Sequence, residues 1–502
     1  MRFPRASGVL LHPTSLPGPH GSGDLGADAY HFVDWLVSGG QTLWQVLPLA
    51  GIGHGNSPYM SSSAFAGNVL LIDLAELHRQ GWLDASDLVP THGLIAARVA
   101  FAAMVPYRMQ RLAKAAQRFA QDASDEQRQA YADFCAAHRS WLDDYALFMA
   151  LCDANHGRDW CDWTPCLAAR DPQALAAAHA EHASRVAFWR FCQWSFFRQW
   201  LALKAHANAR GVRIVGDTPI FIAHHSAEVW AHPELFELDT KGRPTVVAGV
   251  PPDFFSTTGQ RWGNPLYRWS EHSKDGYAWW VERIRRSFEL VDIVRIDHFR
   301  GFCAHWEIPA AEPTAEHGRW VPGPGAALFD AVAKALGPLP IIAEDLGVIT
   351  PDVDALRRKF AFPGMRILQF AFQGDASDRF LPHHHEPDTV VYTGTHDNDT
   401  VAGWWATASE HEKHFARGYL ATDGHDMPWT LIRTACASVA DSAVHPMQDV
   451  LCLPGACRMN HPGQAEGWWA WRFQWNEVHP WHAHRLAEFG RLYGRWPQDA
   501  PA

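Results

Sequence analysis

No apolar run in this sequence approaches the roughly 18 residues that a bilayer crossing requires, so no membrane-spanning helix is expected. Positive charge is also short: 43 Lys and Arg stand against 54 Asp and Glu, for a formal net charge of −11. Nothing here forms an extended phosphate-neutralising surface, which excludes nucleic acid as a partner. No secretory leader is visible, because the apolar stretch after Arg2 and Arg5, Gly8 to Leu11, is far shorter than a signal-peptide core. The nine cysteines, at 135, 152, 161, 166, 192, 303, 436, 452 and 457, include no CxxC pair. Odd in number and often beside apolar neighbours, they read as reduced thiols of a cytoplasmic protein. The glycine-rich GIGHGNSP (51–58) lacks both GxGxxG and the lysine of a phosphate-binding loop, so it reads as a loop shaping a pocket.

What the sequence does have is length, apolar content and indole. Its 502 residues, 47% hydrophobic, suit a large barrel carrying insertions, and its 25 Trp include many beside Gly, Asn and Asp. Indole faces stack on the apolar faces of sugar rings, although Trp is equally a core residue. Short β-rich runs recur at Gly8–Leu11, Leu43–Leu49, Val212–Val215, Asp292–Ile296, Leu339–Ala343, Met365–Phe370 and Thr389–Thr393. Near-continuous apolar runs of this length predict parallel strands buried on both faces. Phe188, Phe191, Trp194, Phe197 and Leu201 recur at helical spacing before the third run, and Gly211 closes that helix. Strand, helix and strand in this order predict an α/β architecture. Residues 75–190, rich in Ala, Leu and Arg, read as a mostly helical insertion, with helical stretches at Met104–Phe119 and Trp141–Leu151. Residues 218–290 read as a second, loop-like excursion containing PPDFFSTTGQRWGNPLYRW (251–269).

Four acidic residues, Asp217, Asp297, Glu344 and Asp397, stand where these runs end. Barrel active sites are assembled at that face from the ends of several strands, so four such residues converge on one pocket only if the strands close. Arg295 and Asp297 are two apart on a strand and point the same way. The guanidinium favours the ionised carboxylate that a nucleophile needs. Glu344 follows an apolar strand, where desolvation raises a carboxyl pKa and suits a proton donor. Two carboxyls with opposed protonation states are what retaining glycosidic cleavage demands. His396 and Asp397 would supply hydrogen-bonding groups for sugar hydroxyls. The bland alternative is a set of structural ion pairs, Asp297 with Arg295 or Glu344 with a nearby Lys or Arg.

At these motifs the chain resembles glycoside hydrolase family 77, the amylomaltase or disproportionating-enzyme family. The matching stretches run along almost the whole chain: GVLLHPTSLPGPHGSGDLG (8–26), NSPYMSSSAFAGN (56–68), GDTPIFIAHHSAEVW (216–230), PPDFFSTTGQRWGNPLYRW (251–269), RIDHFRGF (295–302), TAEHGRWVPGPG (314–325), IIAEDLGVITPDV (341–353), PGMRILQF (363–370), YTGTHDNDT (392–400) and RMNHPG (458–463). The resemblance implies a single (β/α)8 TIM barrel over residues 1–502, with a helical insertion and long loops over its C-terminal face. It implies a 4-α-glucanotransferase acting on α-1,4-glucans and maltooligosaccharides. Asp297 would be the nucleophile, Glu344 the general acid and base, and Asp397 the carboxylate that stabilises the distorted sugar. Arg295, His396 and Asp217 would line the same subsite, Tyr59 and Trp262 would be aromatic substrate contacts, and Asn460 a polar one on the acceptor side. The loop around Phe254–Gln260 resembles the family's mobile cover. No cofactor or metal is required. An α-glucan hydrolase using the same carboxylates, and a silent glucan-binding protein, are the alternatives. The chain departs from the family pattern at Cys452–Pro454, at Trp468–Trp469 and at Ala100–Phe101. The His383–His385 run lacks metal-ligand spacing and reads as a solvated loop, while one of His224 and His225 is allowed a substrate-side role.

Overall fold

The computed structural model describes residues 3–252 and 256–497. Phe254 and Phe255, at the head of the expected covering loop, lie outside the described residues. Eight strands form one all-parallel sheet: β1 (Ala6–Leu10), β2 (Leu43–Gln45), β3 (Arg213–Pro219), β4 (Ile293–Asp297), β5 (Ile341–Ala343), β6 (Gly364–Ile367), β7 (Thr389–Tyr392) and β8 (Ser442–Pro446). Each pairs with its neighbours in chain order, and β8 pairs with β1. The remaining seam, β5 to β6, is bridged where Ala343 N–H donates to Pro363 O at 2.9 Å and Met365 N–H donates to Asp345 Oδ1 at 2.6 Å. The sheet is therefore a (β/α)8 barrel, and its strands are short apolar runs because helices cover their outer faces.

Several expected strands are shorter than read, Leu339–Ala343 being extended only over Ile341–Ala343 and Thr389–Thr393 only to Tyr392. Val46–Leu49 is buried but irregular, and Leu368–Phe370 forms a 3₁₀ turn instead of extending β6. The strand not anticipated is β8. Its sequence, SAVHP, offers only Ala443 and Val444 as apolar residues, yet all five positions are buried. Strands β1 and β2 approach so closely that a Cβ on Gly8 would lie 2.2 Å from Leu43 O. Gly8→Ala is expected to cost about 1–3 kcal/mol, read as a fall in denaturation midpoint without loss of helical signal.

Between β2 and β3 the chain runs through the helices Leu74–Arg79, Phe101–Asp122, Asp125–Ala137, Arg139–Ala154, Pro165–Ala168, Pro172–Glu181 and Ala183–Ala209. The last is buried on most sides, because it lies between β3 and the helices Phe101–Asp122 and Arg139–Ala154. The segment expected to be loop-like carries regular structure as well. Val246–Val250 and Gln260–Pro265 join Ala304–Pro309 and Arg319–Pro322 in a four-stranded antiparallel sheet, and Ala278–Leu290 forms the helix before β4. Around β1 and β8 the chain is latched by arginines. Buried Arg495 donates to the carbonyls of Ala6, Asp441, Ala440 and Cys436, and Arg5 donates to those of Ala440, Ser438, Cys436 and Tyr493. No helix among the described residues is long and apolar enough to cross a membrane.

Candidate active site

Strand register begins the site. In the parallel β3–β4 pair Asp217 lies beside Arg295 and Pro219 beside Asp297. Arg295 sits inside the barrel and spans both acids: Nη1 donates to Asp217 Oδ1 and Oδ2 at 2.7 and 2.6 Å, and Nη2 donates to Asp297 Oδ1 at 2.8 Å. Exposure separates the two carboxylates. The Asp217 side chain is 0% exposed, whereas that of Asp297 is 30% exposed, so only the latter opens towards a ligand.

Tyr59 stands on a 3₁₀ turn (Pro58–Met60) capped by Ser57, whose hydroxyl accepts Tyr59 N–H at 3.2 Å. Its hydroxyl donates to Asp217 Oδ2 at 2.8 Å. A carboxylate only accepts, so the 2.8 Å contact between the Tyr59 oxygen and His396 Nε2 is a bond that His396 donates. The two rings stack at 5.3 Å. Burial, then the charge of Asp217, pushes the Tyr59 phenol well above its usual range, so it stays a donor.

His396 and Asp397 lie beyond β7 on a loop that side chains hold in shape. Asn398 Oδ1 accepts from Thr395 N–H at 2.8 Å and from its hydroxyl at 2.9 Å, and Thr400 caps the helix Val401–Thr407. Asp449, after β8, binds both ends of this loop, accepting from Thr393 Oγ1 at 2.6 Å and from Val401 N–H at 2.7 Å. Asp397 is 43% exposed; its Oδ2 lies 3.4 Å from His396 Nε2 and its Oδ1 accepts from Asn460 Nδ2 at 2.6 Å.

Glu344 immediately follows β5 and accepts two backbone bonds, from His298 N–H at 2.8 Å and Leu346 N–H at 2.7 Å. Burial, and after it the negative charge of Asp297, pushes its carboxyl up to about 8. His298, directly after Asp297, has a left-handed backbone (φ 54°) that turns the chain back so that its amide meets Glu344. Trp262, from the antiparallel sheet, meets the His298 ring edge to face at 4.8 Å. Every residue assigned to the site from sequence thus joins one connected group: Asn460, Asp397, His396, Tyr59, Asp217, Arg295 and Asp297, with Glu344 and Trp262 tied in through His298.

Sequence reasoning left four contributors out. Besides His298 and Asp449, Trp469 (φ 63°) packs at 5.8 Å from Tyr59 and 6.0 Å from His396, and Arg458 Nη2 donates to the Asp397 carbonyl at 2.7 Å. Three of them sit in stretches already singled out, beside Asp297, in RMNHPG and in the Trp468–Trp469 pair; Asp449 sits in HPMQDVL, just before the first departure from the family pattern. His224 and His225 lie elsewhere, against Asp159, Cys161 and Cys152 of the helical segment. In the His383–His385 run, His383 and His384 face Ala376 O and His385 faces Phe380 O.

Comparisons with known proteins cover nearly the whole chain. The profile of the glycoside hydrolase 77 family, described as 4-α-glucanotransferase, matches residues 11–477. A 4-α-glucanotransferase of Thermus thermophilus is 52% identical over 97% of this chain and 98% of its own length. One from Synechocystis is 47% identical over 98% of both chains. The structure of an amylomaltase from Streptococcus agalactiae in complex with acarbose superposes with a TM-score of 0.95 at 37% identity, covering 98% of this chain and all of that one. The chain belongs to the 4-α-glucanotransferase family, glycoside hydrolase family 77.

Proposed function

We propose that the protein is a 4-α-glucanotransferase that moves α-1,4-glucan segments between maltooligosaccharides by a retaining double displacement. The observation that carries this reading is the pairing of Asp297, partly exposed and held by Arg295, with Glu344, whose carboxyl is pushed up to about 8. In the first step an Asp297 carboxylate oxygen attacks the anomeric carbon while Glu344 gives its proton to the glycosidic oxygen. The C–O bond breaks, a glucan with a free 4-hydroxyl leaves, and a β-glucosyl ester remains on Asp297. In the second step Glu344, now a carboxylate, takes the proton of an incoming 4-hydroxyl. That oxygen attacks the anomeric carbon, the ester bond breaks, and an α-linkage forms again.

Asp397 and Asn460 reach the hydroxyls of the reacting sugar, with Asp397 favouring the oxocarbenium-like transition state, and Trp262 and Tyr59 pack along the glucan. Asp217 has no exposed side-chain surface, so its part is to hold Arg295 and Tyr59 in place. Residues 1–502 act as one catalytic unit, with segments 75–190 and 218–290 as additions to the barrel. The names of the relatives favour transfer over hydrolysis, and the nine free cysteines favour a cytoplasmic setting. Chromatography of maltotriose products tests the reaction: a ladder of longer oligomers plus glucose is expected, whereas shorter sugars alone would mean a hydrolase.

A pH profile and an acid-base variant test the assignment of Glu344. Its proton is in place below about 8, so kcat/KM is expected to fall as pH rises through that value. The same sign applies to stability: a carboxyl raised above its unfolded value contributes fully below that unfolded value, and the contribution is lost as pH rises through about 8. Glu344→Gln given maltosyl fluoride, whose leaving group needs no proton, is expected to accumulate an ester on the Asp297 peptide, seen by mass spectrometry. An unmodified peptide after substrate turnover would count against these roles.

A further inference from the structure

The motif after β3 contains His224 and His225, and the active site uses neither. His224 lies where that motif meets the turn Trp160–Asp162 of the helical segment. Its two ring nitrogens face two acceptors: Nε2 is 2.8 Å from Gly242 O and Nδ1 is 3.3 Å from Asp159 Oδ2. A carbonyl accepts only, so Nε2 carries the proton of that bond. Nδ1 then faces a carboxylate oxygen, an arrangement that requires a positive charge between them. Cys161 adds a third donor beside the ring; its Sγ is 3.7 Å from Nε2, the nitrogen bonded to Gly242 O, so it must swing towards Nδ1 to share an ion with Asp159, and its amide donates to Asp159 Oδ1 at 3.0 Å.

We propose that Asp159, Cys161 and His224 form a binding site for one divalent transition ion of the zinc class. One donor atom from each residue lies within 4.8 Å of the other two. Tetrahedral bonds of about 2.0–2.3 Å place ligand atoms roughly 3.3–3.8 Å apart, so closure by about an ångström completes the set. Thiolate, imidazole and carboxylate together favour zinc, or cobalt in its place, over calcium or magnesium. Gly242 O supplies the outer hydrogen bond that metal-bound histidines make through their second nitrogen. All three residues are partly exposed, which leaves an entry path and room for a water as fourth ligand. On binding, the Cys161 thiol proton and the proton that His224 Nδ1 holds against Asp159 in the metal-free site pass to solvent, and the sulfur and Nδ1 electron pairs bind the ion. The site is remote in contact from Asp297, Glu344 and Asp397 and takes no part in their chemistry. Its effect is to fasten the turn at 160–162 to the segment after β3.

The test is titration of the chelator-treated, reduced full-length protein with cobalt(II). One equivalent is expected to produce a sulfur-to-cobalt band in the near ultraviolet and strong visible bands of a tetrahedral ion. Both are expected to disappear in Cys161→Ser and in His224→Gln and to persist in Cys152→Ser and Cys166→Ser, whose thiols lie outside the set. Zinc is expected to raise Tm in the unsubstituted protein and not in Cys161→Ser, with metal-free Tm values that agree. Absence of the thiolate band at one equivalent, or a band that survives both substitutions, would overturn the proposal and leave a protonated imidazole as the charge between His224 and Asp159.

Discussion

Replacing Asp297 by Asn is expected to lower kcat on the order of 10⁴-fold or more, while leaving the fold intact. Asparagine keeps the shape and the hydrogen-bonding oxygen that Arg295 Nη2 meets at 2.8 Å, but it cannot form the glucosyl ester. Arg295 retains Asp217 as its counter-charge, so no buried cation is stranded. The readout is maltotriose chromatography over long incubation, with Tm measured on the same sample. A variant that still disproportionates within tenfold of the parent would remove Asp297 from the mechanism. Loss of activity together with a collapsed Tm would move its role to folding.

Arg295→Met is expected to produce the largest loss of stability of any single change in the site, about 3–5 kcal/mol. The side chain is 4% exposed and Asp217 is 0% exposed, so its removal leaves a carboxylate in the barrel interior with, among the described residues, the Tyr59 hydroxyl as its one remaining hydrogen-bond donor. Arg295→Lys is expected to recover part of this, because an ammonium supplies charge but not the planar fork that reaches both acids at once. Denaturation midpoints of the three proteins give the order. If the methionine variant matches the parent, the network is not held by this ion pair.

What the sequence disclosed follows from where its chemistry sits. Asp217, Asp297 and Glu344 were legible because each lies in or just after an apolar run, and strand ends face one side of a barrel. Asp397 differs from the strand-end position read for it: it lies five residues beyond β7, on a loop shaped by Asn398, Thr400 and Asp449, so the end of the apolar run pointed to the right face but not to its place on that loop. Trp469 and Arg458 arrive from a segment with no regular pattern, and their positions are set by tertiary contacts with Tyr59, His396 and Asp397. Strand β8 escaped notice for a related reason. Ser442, His445 and Pro446 do not look like a buried strand, but β1 and β7 on either side enclose them. The antiparallel sheet was hidden in the same way, since VVAGV lies among turn residues and gains its partners from Gln260–Pro265 and Ala304–Pro309.

The arginine latch around β1 and β8 has a meaning for biosynthesis. Ala6 pairs with Ser442, and its carbonyl accepts from Arg495, 489 residues later. A ribosome that has released the first four hundred residues therefore holds a sheet whose opening strand still has a bare hydrogen-bonding edge. Such an edge recruits other chains until its own partner emerges. Yield in cells should thus depend on translation speed and chaperone supply more than on the stability of the finished protein, and nascent chains stalled before Ser442 should be the ones that aggregate.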